Sequence, residues 1–412
     1  MSDATAVVIL GAGQAGFQLA SSLREGGYDG SIALIGEEPH LPYSRPPLSK
    51  AFLSGKVSEG KLALRPESFY RDQRIDLYLG RRAVAVDRTT RTVALDDGES
   101  LGYDHLVFAT GARNRALPVE GAQGLGGVYG LRTLDDARQL RGALASARRA
   151  VVIGAGFVGL EFAATAQQQG VQTTVIELQP RPLARAVSAS MAAIFSREHR
   201  HSGVDLRFDV SVRRLLGDNG RVCALELSNG EHLSADLVLV GIGAQANSEL
   251  ADACGLDVEG GIVVDAQLRT RDPHVSAIGD CAVHPNAHAA GRAIRLESIQ
   301  NAADQARCLA ARLCGQAADY GSLPWFWSDQ GSLKLQIAGL IDDHDQLVVR
   351  GDPQGTACSV FCFKDKRLVA VESVNRPADH IQARRLLKDG IGLSPEQAAD
   401  PQVDLRSLTT LG

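Results

Sequence analysis

The chain opens on an unbroken apolar run, Val7-Val8-Ile9-Leu10, with no polar position to mark a solvent face. Such a run reads as a parallel strand buried on both sides. It stops at Gly11, Gly13 and Gly16, in G-x-G-x-x-G spacing. A helical pattern over 14–25 follows and ends at Gly26-Gly27. A second apolar run predicts a strand over 31–35. In this setting Gly11 permits a tight turn, Gly13 lets a pyrophosphate approach the backbone, and Gly16 lets helix pack on strand. The helix start offers free N–H groups and the positive end of its dipole to phosphate. Glu37 lies 21 residues after Gly16, where a carboxylate accepts bonds from an adenosine ribose. Strand, turn, helix, strand and acid in that order predict a dinucleotide site.

The pattern then recurs. Val151-Val152-Ile153 leads into Gly154, Gly156 and Gly159, a helix is expected over 157–169, Gly170 stops it, and a strand over 173–176 ends at Glu177. The ends of the two units match as well. Asp97-Gly98-Glu99 precedes the run through Ala109 to Gly111, and Asn229-Gly230-Glu231 precedes the run to Gly243, at a constant offset of 132. Two nucleotide units in one chain predict a redox pair, one nucleotide resident and one exchanging. Glu177 predicts NADH over NADPH, because a carboxylate there repels a 2′-phosphate. Arg181 and Arg185 oppose that preference if either swings toward the phosphate.

Elsewhere the pattern is more broken. Residues 39–50 form a proline-stiffened loop holding Arg45 and Lys50. These are either surface cations on a connector or a clamp for a diphosphate and a flavin ring. Short strands are expected over 74–86 and 91–95, a buried strand over 106–110, and a linker over 113–119. Glu161 sits early in its helix, as a dipole-compensating acid or with a further role. Asp280 closes a strand over 276–280, at the ligand face of a parallel sheet. A helix over 297–313 precedes a linker at 317–323. Four strands (333–338, 347–350, 359–363, 368–374) and a helix over 378–388 then predict an antiparallel α+β domain. Trp325 and Trp327 stand at its entrance, where simple core packing is the ordinary role.

Composition narrows the function. The 412 residues are 44% hydrophobic and carry a net charge of −5, with no basic field for nucleic acid. Residues 1–5 show no leader pattern and no run approaches the ~20 apolar residues of a membrane span, so cytoplasmic location is expected. The seven cysteines include no C-x-x-C pair, and the first is Cys223. Dithiol chemistry in the first nucleotide unit is therefore excluded, and the thiols are expected to be reduced and mostly buried. The pairs His284/His288 and His199/His201 lack a thiolate or carboxylate constellation. They are expected on the surface, with no metal site.

Together these residues resemble the pyridine nucleotide-disulfide oxidoreductases (glutathione reductase-like), in the branch of FAD-dependent, NADH-linked ferredoxin reductases of the putidaredoxin reductase type. The marks are Arg45-Pro-Pro-Leu-Ser-Lys50 where disulfide reductases carry cysteines, Ala109-Thr-Gly111, the stretch from Gly154 to Glu161, Ala277-Ile-Gly-Asp-Cys281, Glu297-Ser298 with Asn301, and Pro324-Trp-Phe-Trp-Ser-Asp-Gln330. The resemblance implies an α/β fold of two Rossmann-like domains, for FAD (1–117 and 247–323) and NAD (118–246), plus a C-terminal α+β domain (324–412). It implies FAD contacts at Ala15, Glu37, Lys50, Ala83, Arg132, Asp280 and Ile299. NAD would be bordered by the stretch from Gly154 to Glu161, Glu177 and Gly243, and Lys50 and Glu161 would stand at the flavin–nicotinamide face. Trp327 would lie near the flavin, and Arg307 would face an acidic [2Fe–2S] ferredoxin. The implied activity is electron transfer from NADH through FAD to a ferredoxin serving a cytochrome P-450 monooxygenase, by a monomer or weak dimer. A Rieske dioxygenase or rubredoxin system, or an apoptosis-inducing-factor-like signalling flavoprotein, is the alternative.

Overall fold

The computed structural model describes residues 6–342 and 344–409, so the expectation about residues 1–5 lies outside the described residues. Its contacts group the chain into two units. The first holds residues up to Ser44, Gly60–Arg113 and Gln245–Pro324; the second holds Arg45–Glu59, Asn114–Ala244 and Trp325 onward.

In the first unit the apolar runs form one parallel sheet, ordered Val275–Ala277, His105–Phe108, Ala6–Leu10, Ser31–Gly36, Ile75–Leu79. Ile9, Ile32, Leu34, Val107 and Phe108 are fully enclosed, as their unbroken apolar pattern requires. The helices Gln14–Glu25 and Ile299–Leu313 pack on each other. An antiparallel sheet of Ala83–Asp87, Thr92–Leu95 and Ser100–Gly102 is appended.

The second unit repeats this plan. Its parallel sheet runs Asp205–Arg207, Gln172–Ile176, Arg149–Ile153, Leu237–Val240, Val128–Tyr129, with the corresponding central strand leading into the corresponding turn. It too carries an antiparallel three-stranded sheet, Val212–Asp218, Arg221–Leu227 and His232–Ser234. Gly98 and Gly230 turn the equivalent hairpins at φ +92° and +85°, a conformation in which a Cβ is strained.

Beyond it lies a five-stranded antiparallel sheet ordered Trp325–Gln330, Leu333–Gly339, Arg367–Val374, Cys358–Lys364, Gln346–Gly351. The helix Pro377–Asp389 packs on it around Phe361, Phe363, Val371 and Leu386. Four of these strands follow from the sequence pattern. The fifth, Trp325–Gln330, is an edge strand whose aromatic run hides the alternation. Among the described residues no helix is long and apolar enough to cross a membrane.

Candidate functional site

The two glycine turns are alike bond for bond. Gly11 N donates to Ile35 O at 2.8 Å, and Gly154 N donates to Ile176 O at 2.7 Å. A Cβ on Gly11 would stand 2.1 Å from Ala109 O, and one on Gly154 would stand 2.5 Å from Gly241 O. Gly16 and Gly159 are equally closed, against the carbonyls of Gly11 and Gly154 at 1.9 and 2.3 Å. The middle glycines differ. A Cβ on Gly13 would meet nothing within 4 Å, and one on Gly156 only Gly241 O at 3.9 Å. Each middle glycine also caps its helix without a capping side chain. Both helix starts are therefore uncapped by side chains and have room beside the middle glycine, a cradle that fits a pyrophosphate.

In the first unit Glu37 is exposed directly after Ser31–Gly36, Ala15 is buried in the first helical turn, and Gly111 turns at φ +66°. Ala109 is buried, Ala83 begins its strand half-buried, and Ile299 is the first residue of its helix. Asp280 follows Gly279, which adopts φ +76°. A buried network holds that turn. Gly279 N donates to Gln305 Oε1 at 2.7 Å, and Gln305 Nε2 faces His284 Nδ1 at 3.1 Å. Because Oε1 accepts from a backbone N–H, Nε2 must donate, which leaves His284 Nδ1 unprotonated and the imidazole neutral, with Asn286 Nδ2 facing its other nitrogen at 3.4 Å. Burial agrees, pushing the His284 imidazole down to about 4. The Tyr320 ring packs on His284 at 5.1 Å, and Tyr320 Oη donates to Asn301 Oδ1 at 2.9 Å.

In the second unit Glu177 is bound at both oxygens. Ala155 N donates to Oε2 at 2.7 Å and Gln179 N donates to Oε1 at 2.9 Å, so the acid is pinned to the Gly154–Gly156 turn. Arg181 spends its guanidinium on the carbonyls of Val187 and Ala184, both at 2.8 Å, which fixes it within its own loop. Arg185 Nη2 lies 3.9 Å from the Cβ position of Gly243.

Glu161 corrects the simplest expectation for it. It lies beyond the first helical turn and is buried, so it does not compensate the dipole. Lys50 Nζ pairs with its Oε2 at 2.6 Å, Ser49 Oγ donates to the same oxygen at 2.5 Å, and Ser328 Oγ donates to Oε1 at 2.7 Å. Lys50 is thus one half of a partly buried ion pair and no free surface cation. Arg45 Nη1 donates to Arg132 O at 2.6 Å, and Arg132 N donates to Asp136 Oδ2 at 2.9 Å. Trp327 is half-buried beside Trp325, with centroids 5.5 Å apart.

The histidine expectation is also corrected. His284 and His199 are 0% and 3% exposed, each consumed by a glutamine, and only His201 of the four is exposed. The amphipathic helix Ala189–His201 turns His199 inward with Met191 and Phe195, a register the polar letters conceal. Of the seven cysteines three are buried, three half-buried and Cys223 exposed, all free. Ser49, Ser328, Gln330 and Gln305 were not foreseen. The only signal for Ser328 and Gln330 is the interruption of an aromatic run by small polar residues.

The model of the pyridine nucleotide-disulphide oxidoreductase family matches residues 5–306. The chain belongs to that family. A reductase C-terminal model matches residues 325–409. Members of the family use FAD and NAD(P)H, and among them this chain stands with the ferredoxin reductases. It is 50% identical to rhodocoxin reductase of Rhodococcus erythropolis over 97% of this chain and 93% of that one. A ferredoxin reductase for the CYP199A2 system from Rhodopseudomonas palustris has the same structure, with TM-score 0.96 and 48% identity over 98% of this chain and 100% of that one. The reductase in a covalent putidaredoxin reductase–putidaredoxin complex gives TM-score 0.96 and 39% identity, over 99% and 98% of the two chains.

Proposed function

We propose that the protein carries electrons from NADH through FAD to a [2Fe–2S] ferredoxin serving a cytochrome P-450 monooxygenase, in the cytoplasm, as a monomer or weak dimer. The reading divides the chain into an FAD domain (1–117 and 247–323), an NAD domain (118–246) and the C-terminal α+β domain (324–412). The observation that carries it is the Lys50–Glu161 pair, whose lysine closes the Arg45–Lys50 stretch that by resemblance takes the place of the cysteines of disulfide reductases, in a chain whose first cysteine is Cys223. With no dithiol to take a hydride equivalent onward, the electrons must leave to an external acceptor.

Bound FAD supplies hydride acceptance and one-electron release. The protein's part is binding and orientation. Gly11, Gly13, Ala15 and Gly16 would receive the FAD pyrophosphate, Glu37 the adenosine ribose, and Asp280 with Ile299, Ala83, Ala109, Gly111, Arg45 and Arg132 the remainder. Gly154, Gly156, Gly159 and Gly243 would border NADH. Glu177, already fixed by two backbone donors, keeps lone pairs for ribose hydroxyls and opposes a 2′-phosphate. Lys50 and Glu161 would present a fixed charge pair to the reacting rings, and Trp327 an aromatic wall on the acceptor side.

The relative of the CYP199A2 system supports the P-450 assignment. Arg45-Pro46, which resembles the loop of dioxygenase reductases, favours a Rieske system as the second reading. Steady-state reduction of a panel of [2Fe–2S] ferredoxins and rubredoxins with NADH separates them. Preference for a P-450-type ferredoxin is expected, and rubredoxin or dioxygenase ferredoxin reduced faster overturns the assignment. A folded preparation that is colourless and takes up no FAD overturns the reading as a whole.

A further inference from the structure

The edge strand Trp325–Gln330 has two faces of different chemistry. Alternate residues point to opposite sides of a strand. Phe326, Ser328 and Gln330 share one side, and Phe326 packs on Phe157 with centroids 4.4 Å apart. Ser328 and Gln330 are 0% and 3% exposed. Trp325, Trp327 and Asp329 share the other side, where Arg384 lies over the Trp325 ring at 4.5 Å.

The inward face forms a chain of hydrogen bonds with one direction. His199 Nε2 meets Gln330 Oε1 at 2.8 Å, Gln330 Nε2 donates to Ser328 Oγ at 3.2 Å, and Ser328 Oγ donates to Glu161 Oε1. Burial pushes the His199 imidazole below its ordinary value, so it stays neutral and its one proton can sit on Nε2. Ser328 has a single proton, and Gln330 fixes its direction by occupying the oxygen as an acceptor. On the other carboxylate oxygen Ser49 and Lys50 do the same. Thr165 Oγ1 lies at hydrogen-bond distance from Ser49 O (3.0 Å) and Glu161 O (2.9 Å), which fastens the Lys50 loop to the Glu161 helix. Ser328, Ser49 and Lys50 thus converge on one buried carboxylate.

We propose that Ser328 and Gln330 are positioning residues for the Lys50–Glu161 pair. The C-terminal sheet thereby holds the Glu161 carboxylate in the rotamer that receives Lys50, and the same strand sets Trp327 on its opposite face. A carboxylate buried without enough donors is costly to keep ionised. Removing the Ser328 hydroxyl therefore weakens the ion pair and frees the Lys50 amine. The inference rests on the reading of Lys50 and Glu161 given under the proposed function.

The test compares Ser328→Ala, Ser328→Thr, Gln330→Met and the outward-facing control Asp329→Asn, with thermal melting as the check on folding. Competitive acylation of the Lys50 amine in FAD-free protein reads the pair directly. Ser328→Ala should raise it about threefold, as the loss of one hydrogen bond to the pair implies. In the FAD-loaded protein the limiting rate of anaerobic flavin reduction by NADH should fall about tenfold, while NADH dissociation stays within about twofold, as expected when a hydrogen bond to a charge is lost. Ser328→Thr should restore both values, Gln330→Met should move both in the direction of Ser328→Ala, and Asp329→Asn should match wild type. Wild-type labelling and rate in a folded Ser328→Ala protein overturn the inference, as does an equal effect from Asp329→Asn. Should Ser328→Ala not fold, Gln330→Met decides by the same two readings. Glu161→Gln separates the two levels. If it leaves Lys50 labelling and the limiting rate unchanged, the reading of the pair itself fails. If it alters both and Ser328→Ala does not, only the positioning role fails.

Discussion

Glu177 and Gln305 show how single side chains fix the nucleotide turns. Glu177 accepts from Ala155 N, so it shapes the second turn in addition to the ribose contact proposed for it. Replacing it with Ala should move the kcat/KM ratio toward NADPH, by about tenfold for each 1.4 kcal/mol recovered. Arg181→Ala should leave that ratio unchanged, because its guanidinium serves the carbonyls of Val187 and Ala184. Steady-state kinetics with both nucleotides checks the pair of outcomes, and a wild-type ratio in Glu177→Ala contradicts the assignment. In the first unit Gln305→Leu orphans the buried Gly279 N–H, at a cost of about 1–3 kcal/mol. FAD should then dissociate about tenfold more readily, measured by the fluorescence of released flavin. Gln305→Glu keeps an acceptor for Gly279 and lets His284 donate, so it should hold FAD close to wild type.

At the scale of elements, the start of the helix Ala189–His201 is tied to the C-terminal sheet by one acid. Glu372 is 0% exposed, and it accepts from Ser188 N at 2.7 Å and from Ser188 Oγ at 2.5 Å. Burial, only partly offset by these bonds, pushes its carboxyl up to about 6 from 4.5. The folded state thus binds this proton more tightly than the unfolded chain does. Its effect on stability is absent below pH 4.5 and becomes a penalty as pH rises through 6, on the order of 2 kcal/mol. Glu372→Gln should remove that slope. The neutral buried His105 and His284, held down to about 3 and about 4 by burial, act in the opposite sense. The quantity to measure is therefore the difference in urea unfolding between wild type and variant, at pH 4.5 and pH 7. A difference that does not change with pH contradicts the account.

For the molecule as a whole the governing number is the net charge of −5, which would repel the acidic ferredoxin proposed as its acceptor. A local cation must offset that field. Arg307 on the helix Ile299–Leu313 has 57% of its side chain exposed, although Asp304 shares its charge at 2.8 Å. Arg295 is unsuited, being 19% exposed, paired with Glu297 and bonded to Asp280 O. Arg307→Glu should raise the KM for ferredoxin and flatten its dependence on salt, since exposed charges act through association rate. NADH-driven reduction of ferricyanide should remain near wild type. Equal losses with both acceptors would place the defect in flavin binding or hydride transfer and remove Arg307 from docking.

The sequence by itself determined what local rules govern. Two G-x-G-x-x-G turns with their acids, the helix Gln14–Glu25 and four C-terminal strands follow from period and glycine spacing, because the backbone geometry there admits few residues. The exclusion of dithiol chemistry followed from counting cysteines. What only the tertiary structure decided are meetings between residues far apart in the chain. Ser328 reaches Glu161 across 167 positions and Ser49 reaches it across 112, and no periodicity encodes such a contact. His199 and His284 looked like surface residues for the same reason: their burial depends on glutamines at 330 and 305 that arrive from other elements. Arg181 looked free to reach a phosphate until its own loop closed around it. Hydrogen-bond partners of buried polar groups are a property of packing, and packing is where the sequence pattern stops carrying the information.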